Sequence, residues 1–495
     1  MTSHWCDFQN SDVIMAIGSN NVENHPLSAA WVQDAIARNN ATYIVVDPRF
    51  TRSASLADIY APLRSGTDIA FFGGLINYII ENDLWQKEYV LNYTNASYLV
   101  NPDFAFEEAT GMFTGWDEEK RAYATTSWTY QIESETPWDV SATGPFAWTQ
   151  APGVPEFTPL VNKVAKKDAT LTDPHCVFQL LKQQYSRYSA ELVSSITGMP
   201  QDKMLEIWAA YAATGAADKA GTILYALGQT QHHYGTQNIR IMAVLQLLLG
   251  NIGVAGGGIN ALRGEPNVQG STDMCVLATD FPGYLKMPTV AKHASLSKWI
   301  ESETVSAGYY TNKPKFFVSA LKELYGEYAT VENDYAYDML PKLGKGNYTH
   351  TMVFEKMDSG DIKGYFLWGQ NPCNSAANTG FVRRSMAKLD WLVVADLYET
   401  ESASFWKAPD MDPASVNTEV YLLPSASHFE KQGSISNSGR WIQWRFKAVE
   451  PLGDSLPDME ILDRLHGRSL AGDAGLEMLV QRLQHYRAAT LLESQ

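Results

Sequence analysis

The chain has 495 residues, with 38 Lys and Arg against 55 Asp and Glu, for a net charge of −17. That length allows several domains, and that charge excludes nucleic acid and anionic membrane surfaces as natural partners. Hydrophobic residues at 45% and aromatics at 12% supply enough apolar surface for packed cores, which excludes a disordered chain.

Taken in chain order, residues 1–7 lack the basic segment and apolar run of a secretory signal. Asp12 to Gly18 is an apolar run of strand length that breaks into Ser19-Asn20-Asn21. A helix is predicted from about Leu27 to Arg38, and then a second strand, Ala41 to Val46, closed by Asp47. Strand, Gly/Asn turn, helix, strand is a βαβ unit. The unbroken apolarity of Tyr43 to Val46 predicts a parallel strand covered on both faces. Asp68 to Asn82 reads as an apolar helix, residues 100–165 as an irregular excursion, and Cys176 to Ala213 as helical. Gly221 to Gly228 reads as another buried strand. Ile241 to Leu262 is uncharged for 22 residues, the length of a membrane span. It holds Gln246, Asn251 and the run Gly256-Gly257-Gly258, so a buried helix ending in a glycine loop is expected instead.

After an aromatic-rich insertion over about 286–360, the βαβ pattern returns. Gly364 to Gly369 is strand-like, a helix follows near Gly380 to Lys388, and a strand from Trp391 ends at Asp396. The spacing from Gly18 to Asp47 is 29 residues, and from Gly369 to Asp396 it is 27. The expected fold is α/β, with doubly wound, mostly parallel sheets in two dinucleotide-binding domains interrupted by α/β insertions. The expected boundaries are 1–262 and 263–425, then 426–495 with an amphipathic helix near 475–493. Open parallel sheets bind ligands at the carboxyl ends of their strands, where the turn offers backbone N–H groups to a phosphate. An acid closing the next strand can accept from a ribose or a guanine edge. Neither turn is GxGxxG, and an α/β domain without a ligand is the alternative for either block alone.

Arg263 follows the triple glycine in a stretch with Asn267, Gln269 and Asp273. Such an arginine can grip a carboxylate or phosphate with two parallel hydrogen bonds, or simply sit on a surface turn. His232 and His233 are adjacent, yet no HxH or HxxH spacing supports a metal, and no metal ligand is assigned. His4, His25 and His175 read as isolated. Cys6, Cys176, Cys275 and Cys373 contain no CxxC pair, so mostly buried thiols are expected rather than a zinc or iron–sulfur site. The loop from His428 to Arg440 suits ligand contact and ordinary turn use equally.

These stretches carry a resemblance. Residues 1–5 (MTSHW), Gly18 to Pro26, Val46 to Ser53, Ala61 to Ala70, Tyr225 to His232, Leu247 to Asn251, Gly256 to Gly264, Lys315 to Ser319 and Gly433 to Trp441 match across most of the chain. The chain resembles the molybdopterin-guanine-dinucleotide oxidoreductases of the dimethyl-sulfoxide-reductase superfamily, and among them the catalytic subunits of respiratory formate dehydrogenases of the N and O type. The resemblance implies a bis-molybdopterin guanine dinucleotide with molybdenum or tungsten. Gly18, Ser19, Asn20, Glu23 and His25 would face the phosphates and ribose of one dinucleotide, with Asp47, Arg49, Gly66 and Asp68 at its nucleoside end. Gly228, Gln229 and Gln231 would lie near a pterin, with Gln269 and Asn437 as further contacts. Gly369, Asn371, Asp396 and Glu401 would hold the second dinucleotide. Arg263 would orient formate, which loses two electrons and a proton to give carbon dioxide.

The family also places a four-cysteine 4Fe-4S motif, and a selenocysteine or cysteine ligand followed by histidine, upstream of the stretch that matches residues 1–5. Neither is in this chain, so Met1 is expected to be an internal methionine of a longer polypeptide and the chain alone to be inactive. The second sheet is expected to be incomplete alone, and a carboxyl-terminal cap domain to lie beyond Gln495. The resemblance further implies an iron–sulfur subunit, a membrane cytochrome subunit and twin-arginine export to the periplasm, with no membrane insertion by this chain. A non-catalytic relative, or an oxidoreductase for nitrate, arsenate or polysulfide, remains the alternative.

Overall fold

Five short runs before residue 262, most of them apolar, become the strands of one sheet. They are Val13–Ile17 (β1), Thr42–Val46 (β2), Ile59–Ala61 (β3), Gly221–Tyr225 (β4) and Gly258–Ala261 (β5). Their order is β5-β4-β1-β2-β3, and every pairing is parallel. The computed structural model describes residues 2–137, 161–263, 267–274, 280–304, 312–344, 346–439 and 441–469. The expected helix near 475–493 lies outside them.

Side chains alternate across a strand, so each apolar run serves two cores. Val13, Met15 and Ile17 join Ile44, Val46 and Ile223 on one face, packed under the helices Asp68–Glu81 and Gly235–Leu248. Ile14 and Ala16 join Tyr43, Val45 and Leu224 on the other, against Val32 and Ala35 of the helix Pro26–Asn39 and Phe8. Both faces are covered, as a run without polar alternation requires. Trp208, fully buried, anchors the larger core beside Phe71 and Tyr78, and Gly74 leaves room for its ring.

The uncharged run splits into the helix Gly235–Leu248, the glycine loop and β5. The loop was expected; the strand was not, because four residues beside three glycines carry little strand signal. Gln246 and Asn251, both fully buried, bind the starts of β4 and β5 together. Gln246 Nε2 donates to the carbonyls of Gly221 (2.8 Å) and Gly258 (2.7 Å), while its Oε1 accepts from Tyr211 Oη and Asn251 Nδ2. Asn251 Oδ1 accepts the Gly221 N–H at 3.0 Å. These groups give the run a polar task inside the protein. Among the described residues no helix is long and apolar enough to cross a membrane.

Residues 104–137 form short antiparallel ladders around Phe104, Phe113 and Trp128. Residues from Phe281 to Ile300 and from Phe317 to Leu340 build a small core on the stack of Trp299 and Phe317, whose centroids are 3.9 Å apart. The chain divides into two compact units, Met1–Leu343 with Ser436–Ile442, and Gly344–Ile435 with Gln443–Gln495. The boundary expected at 262/263 falls inside the first unit, which runs on to Leu343.

The second unit holds a parallel sheet of Gly364–Trp368 (β6), Trp391–Asp396 (β7) and Glu419–Pro424 (β8), in the order β6-β7-β8. The helix Thr379–Met386 crosses from β6 to β7. Cys176 and Cys373 are buried as expected, and Cys6 is half-buried.

Replacing Gln246 with Leu is expected to lower the unfolding free energy by about 2–3 kcal/mol, because buried partners lose their hydrogen bonds. Denaturant unfolding measures this; a loss below about 0.5 kcal/mol would show that the polar pair is not what joins the two strand starts.

Candidate functional site

Strand order creates the site. From β1 the chain crosses to β2 on one side, and from β4 it crosses to β5 on the other. The turns that leave β1 and β4 therefore diverge, and a crevice opens at their carboxyl ends. Here it is a cleft of about 550 Å³ lined by Gly18, Ser19, Asn20, Asn24, His25, Asp47, Pro48, Leu63, Ser65, Asp68, Ala226, Leu227, Gly228, Gln229, His232 and Leu262. That volume suits an organic cofactor.

Two glycines form the floor. Gly18 has φ +57, and the Gly228 N–H donates to its carbonyl at 3.2 Å. A Cβ on Gly18 would lie 2.8 Å from the Gly228 carbonyl carbon, and one on Gly228 would lie 2.6 Å from the Gly18 oxygen. Above this floor sit two buried polar atoms without partners, Ser19 Oγ and Gln229 Oε1. Gln229 cannot turn its amide to satisfy itself, because Nε2 donates to the buried Asp68 carboxylate at 2.6 Å. An unsatisfied buried acceptor costs about 1–3 kcal/mol, which a ligand N–H would remove.

Asn20 is fixed from three sides. Its Oδ1 accepts from the Ser53 N–H (3.2 Å) and hydroxyl (3.0 Å), and its Nδ2 donates to Glu23. Glu23 in turn pairs with Arg52 at 3.0 Å. Asp47 follows β2 directly, and its Oδ1 accepts the Arg49 N–H at 2.9 Å. Burial pushes its carboxyl above the ordinary range, against the opposing pull of Arg49. Gly66, at φ +85, gives its carbonyl to Tyr234 Oη at 2.7 Å. His25 Nε2 donates to the Arg263 carbonyl at 3.0 Å, and so ties the cleft wall to the residue that follows Leu262. Among the described residues the Arg263 guanidinium has no hydrogen bond or ion pair. Its charge opposes the upward push of burial on the Tyr225 phenol at the end of β4.

Eight expected residues line the cleft: Gly18, Ser19, Asn20, His25, Asp47, Asp68, Gly228 and Gln229. Glu23, Arg49, Gly66, Gln231 and Arg263 sit on its lining segments without lining it. Gln269 is turned to its own neighbourhood, with Nε2 on Asp273 (2.8 Å) and Tyr284 (3.0 Å). Asn437 accepts the Trp441 N–H at 3.2 Å and lies 3.5 Å from His4 Nε2, while His4 stacks on Trp441. Ser65 and His232 line the cleft unforeseen. Both follow points where the chain leaves the sheet, which is the signal that could have found them.

In the second unit the turn after β6 has the same construction. Gly369 has φ +56 and donates to the Ala395 carbonyl (2.9 Å), as Gly18 does to Val46 (3.3 Å). Asn371 Oδ1 accepts from the Ser402 N–H (3.1 Å) and hydroxyl (2.8 Å), and its Nδ2 donates to Glu401. The Glu401 carboxyl is held below the usual range by its own backbone N–H and by Asn371. Asp396 ends β7, where the Leu397 N–H donates to its Oδ1 at 2.7 Å. No group of three or more His, Cys, Asp or Glu suited to a metal occurs among the described residues.

Comparison with known proteins agrees with this geometry. The family model described as Molybdopterin oxidoreductase matches residues 1–468. The chain belongs to the molybdopterin oxidoreductase family. It is 45% identical to the nitrate-inducible formate dehydrogenase major subunit of Escherichia coli K12, over 98% of this chain and 46% of that one. It is also 45% identical to the formate dehydrogenase alpha subunit of Megalodesulfovibrio gigas, over 94% of this chain and 44% of that one. The chain thus spans less than half the length of these relatives. Acetylene hydratase from Pelobacter acetylenicus superposes with a TM-score of 0.51 at 20% identity, over 92% of this chain and 46% of that one, and shares the fold. Membership implies a molybdopterin cofactor carrying molybdenum or tungsten. The cleft fits such a group: Gln229 Oε1 offers an acceptor for a pterin N–H, and Ser19 Oγ a donor for a phosphate.

Replacing Gly18 with Ala is expected to destabilise the fold by about 1–3 kcal/mol, since it combines positive φ with backbone overlap. Replacing Gly433, whose Cβ would meet nothing within 4 Å, should cost less than about 0.5 kcal/mol. Equal unfolding midpoints for the two variants would contradict the close approach of the turns.

Proposed function

We propose that this chain is the central part of the catalytic subunit of a molybdenum or tungsten formate dehydrogenase. In this reading one pterin guanine dinucleotide lies in the cleft and a second on the turn after β6. What supports it is the pairing of orphaned Gln229 Oε1 and Ser19 Oγ over the Gly18–Gly228 floor, in a chain 45% identical to formate dehydrogenase subunits.

The residues then have distinct tasks. Ser19 donates to a phosphate, Gln229 accepts from the pterin, and Asp47 accepts the two N–H edges of guanine. Asn371, Asp396, Glu401 and Gly369 serve the second dinucleotide in the same way. Arg263 grips the two oxygens of formate with parallel N–H donors, which fixes the C–H bond relative to the metal. A bound metal–dithiolene group would supply the redox chemistry, the two-electron, one-proton oxidation of formate to carbon dioxide. Electrons leave toward iron–sulfur clusters and a membrane cytochrome in a periplasmic respiratory complex.

The test uses the native full-length protein. We expect molybdenum or tungsten, GMP released on acid hydrolysis, and formate-dependent reduction of a viologen dye. A native protein without pterin or metal would overturn the reading in favour of a non-catalytic relative. Oxidation of reduced viologen by nitrate, arsenate or polysulfide, with no dye reduction by formate, would move it elsewhere in the superfamily.

Arg263→Lys is expected to raise KM for formate by roughly 10- to 100-fold while GMP content stays at the wild-type level, since Lys cannot hold both oxygens. Steady-state kinetics decide this. Asp47 adds a pH signature. Folding favours its protonated form, so that contribution is full below the unfolded pKa and fades as pH rises through the raised folded value. Guanine donors favour the charged form and reverse the shift. GMP binding to the cofactor-free protein should therefore tighten as pH rises through that range, and Asp47→Asn should flatten the dependence in a calorimetric titration.

A further inference from the structure

Two serines outside every expected site do the same work 349 residues apart in sequence. Ser53 lies six residues after Asp47, and Ser402 six residues after Asp396. Both are fully buried. Each donates its hydroxyl proton to the Oδ1 of the turn asparagine, at 3.0 Å to Asn20 and 2.8 Å to Asn371. Each donates its backbone N–H to the same oxygen, at 3.2 and 3.1 Å. Each hydroxyl also accepts the N–H two residues beyond that asparagine, from Val22 and from Cys373, both at 3.1 Å.

We propose that Ser53 and Ser402 are the positioning residues of the two ligand turns. The inference rests on the function proposed above. Two donors on Oδ1 settle which way the amide faces, so Nδ2 must point toward the neighbouring carboxylate, Glu23 in one turn and Glu401 in the other. The hydroxyl meanwhile occupies the Val22 or Cys373 N–H at the start of a short helix. Backbone N–H groups earlier in the turn are left to face the ligand. The order of the turn is therefore built before any ligand arrives, which removes an ordering cost from binding.

The two turns differ in where the carboxylate comes from. Glu23 belongs to the turn's own short helix and is neutralised by Arg52, whereas Glu401 comes from the loop that carries Ser402. The serine is the element common to both.

The experiment uses the full-length native protein and its Ser53→Ala, Ser402→Ala, Ser53→Thr and Ser402→Thr variants. Two quantities are read: the rate at which GMP, counted per folded molecule after acid hydrolysis, is lost from the protein, and amide hydrogen exchange at Val22 and Cys373. We expect either Ala variant to lose bound nucleotide roughly tenfold faster, the size of one lost hydrogen bond of about 1.4 kcal/mol. Thr, which keeps the hydroxyl, should restore retention. Exchange at Val22 should accelerate only in Ser53→Ala, and at Cys373 only in Ser402→Ala. Wild-type retention in both Ala variants would overturn the proposal. So would equal loss in the Ala and Thr variants, or unprotected Val22 and Cys373 amides in the wild-type protein. Should an Ala variant not fold, the wild-type exchange and the Thr variants still decide. A wild-type protein with protected amides and no GMP would instead refute the function and leave the clamps standing.

Discussion

The contact of Gly18 with Gly228 is the constraint on which the site depends. The turns leaving β1 and β4 are far apart in sequence, at Gly18 and Gly228, and they meet backbone to backbone. No side chain fits between them. Because they touch there, the polar groups just beyond, Ser19 and Gln229, are lifted into one cleft rather than spread over two loops. Asp68, brought in by a third segment, then holds Gln229 in one orientation. The cleft is thus assembled from distant pieces by one close approach and one charge-assisted hydrogen bond.

Set beside each other, β1-β2-β3 and β6-β7-β8 show how much of a ligand turn can be conserved as construction while its charge changes. The glycine at positive φ, the asparagine held by a buried serine and the acid closing the neighbouring strand are shared. The surroundings are not. In the first turn Arg52 pairs with Glu23 and the Arg49 N–H binds Asp47, while in the second Glu401 is held by Asn371 and the nearby Glu399 pairs with Lys407.

Most of the architecture was legible in the sequence because unbroken apolar runs of five or six residues, closed by Gly/Asn turns, admit few readings other than buried parallel strands. The family resemblance added the residues that line the cleft. What remained hidden has a common cause. The Asn20–Ser53, Asp68–Gln229 and His25–Arg263 contacts join residues separated by 33, 161 and 238 positions, and no local pattern announces them. β5 was lost beside three glycines. Gln269, which the resemblance offers as a ligand contact, places its Nε2 on Asp273 and Tyr284.

The central pairing of the first sheet has a kinetic consequence. β1 and β4 align Val13 with Gly221, a separation of 208 residues. On a ribosome, β1 and β2 emerge before β4 and can pair, but the other edge of β1 waits until Tyr225 has been made. Throughout that interval a fully apolar strand presents unpaired backbone groups, which is the condition for misassociation with other nascent chains. Non-local closure of this kind is slow. The nascent chain therefore has a long period of vulnerability, ending only when β4 arrives to cover β1.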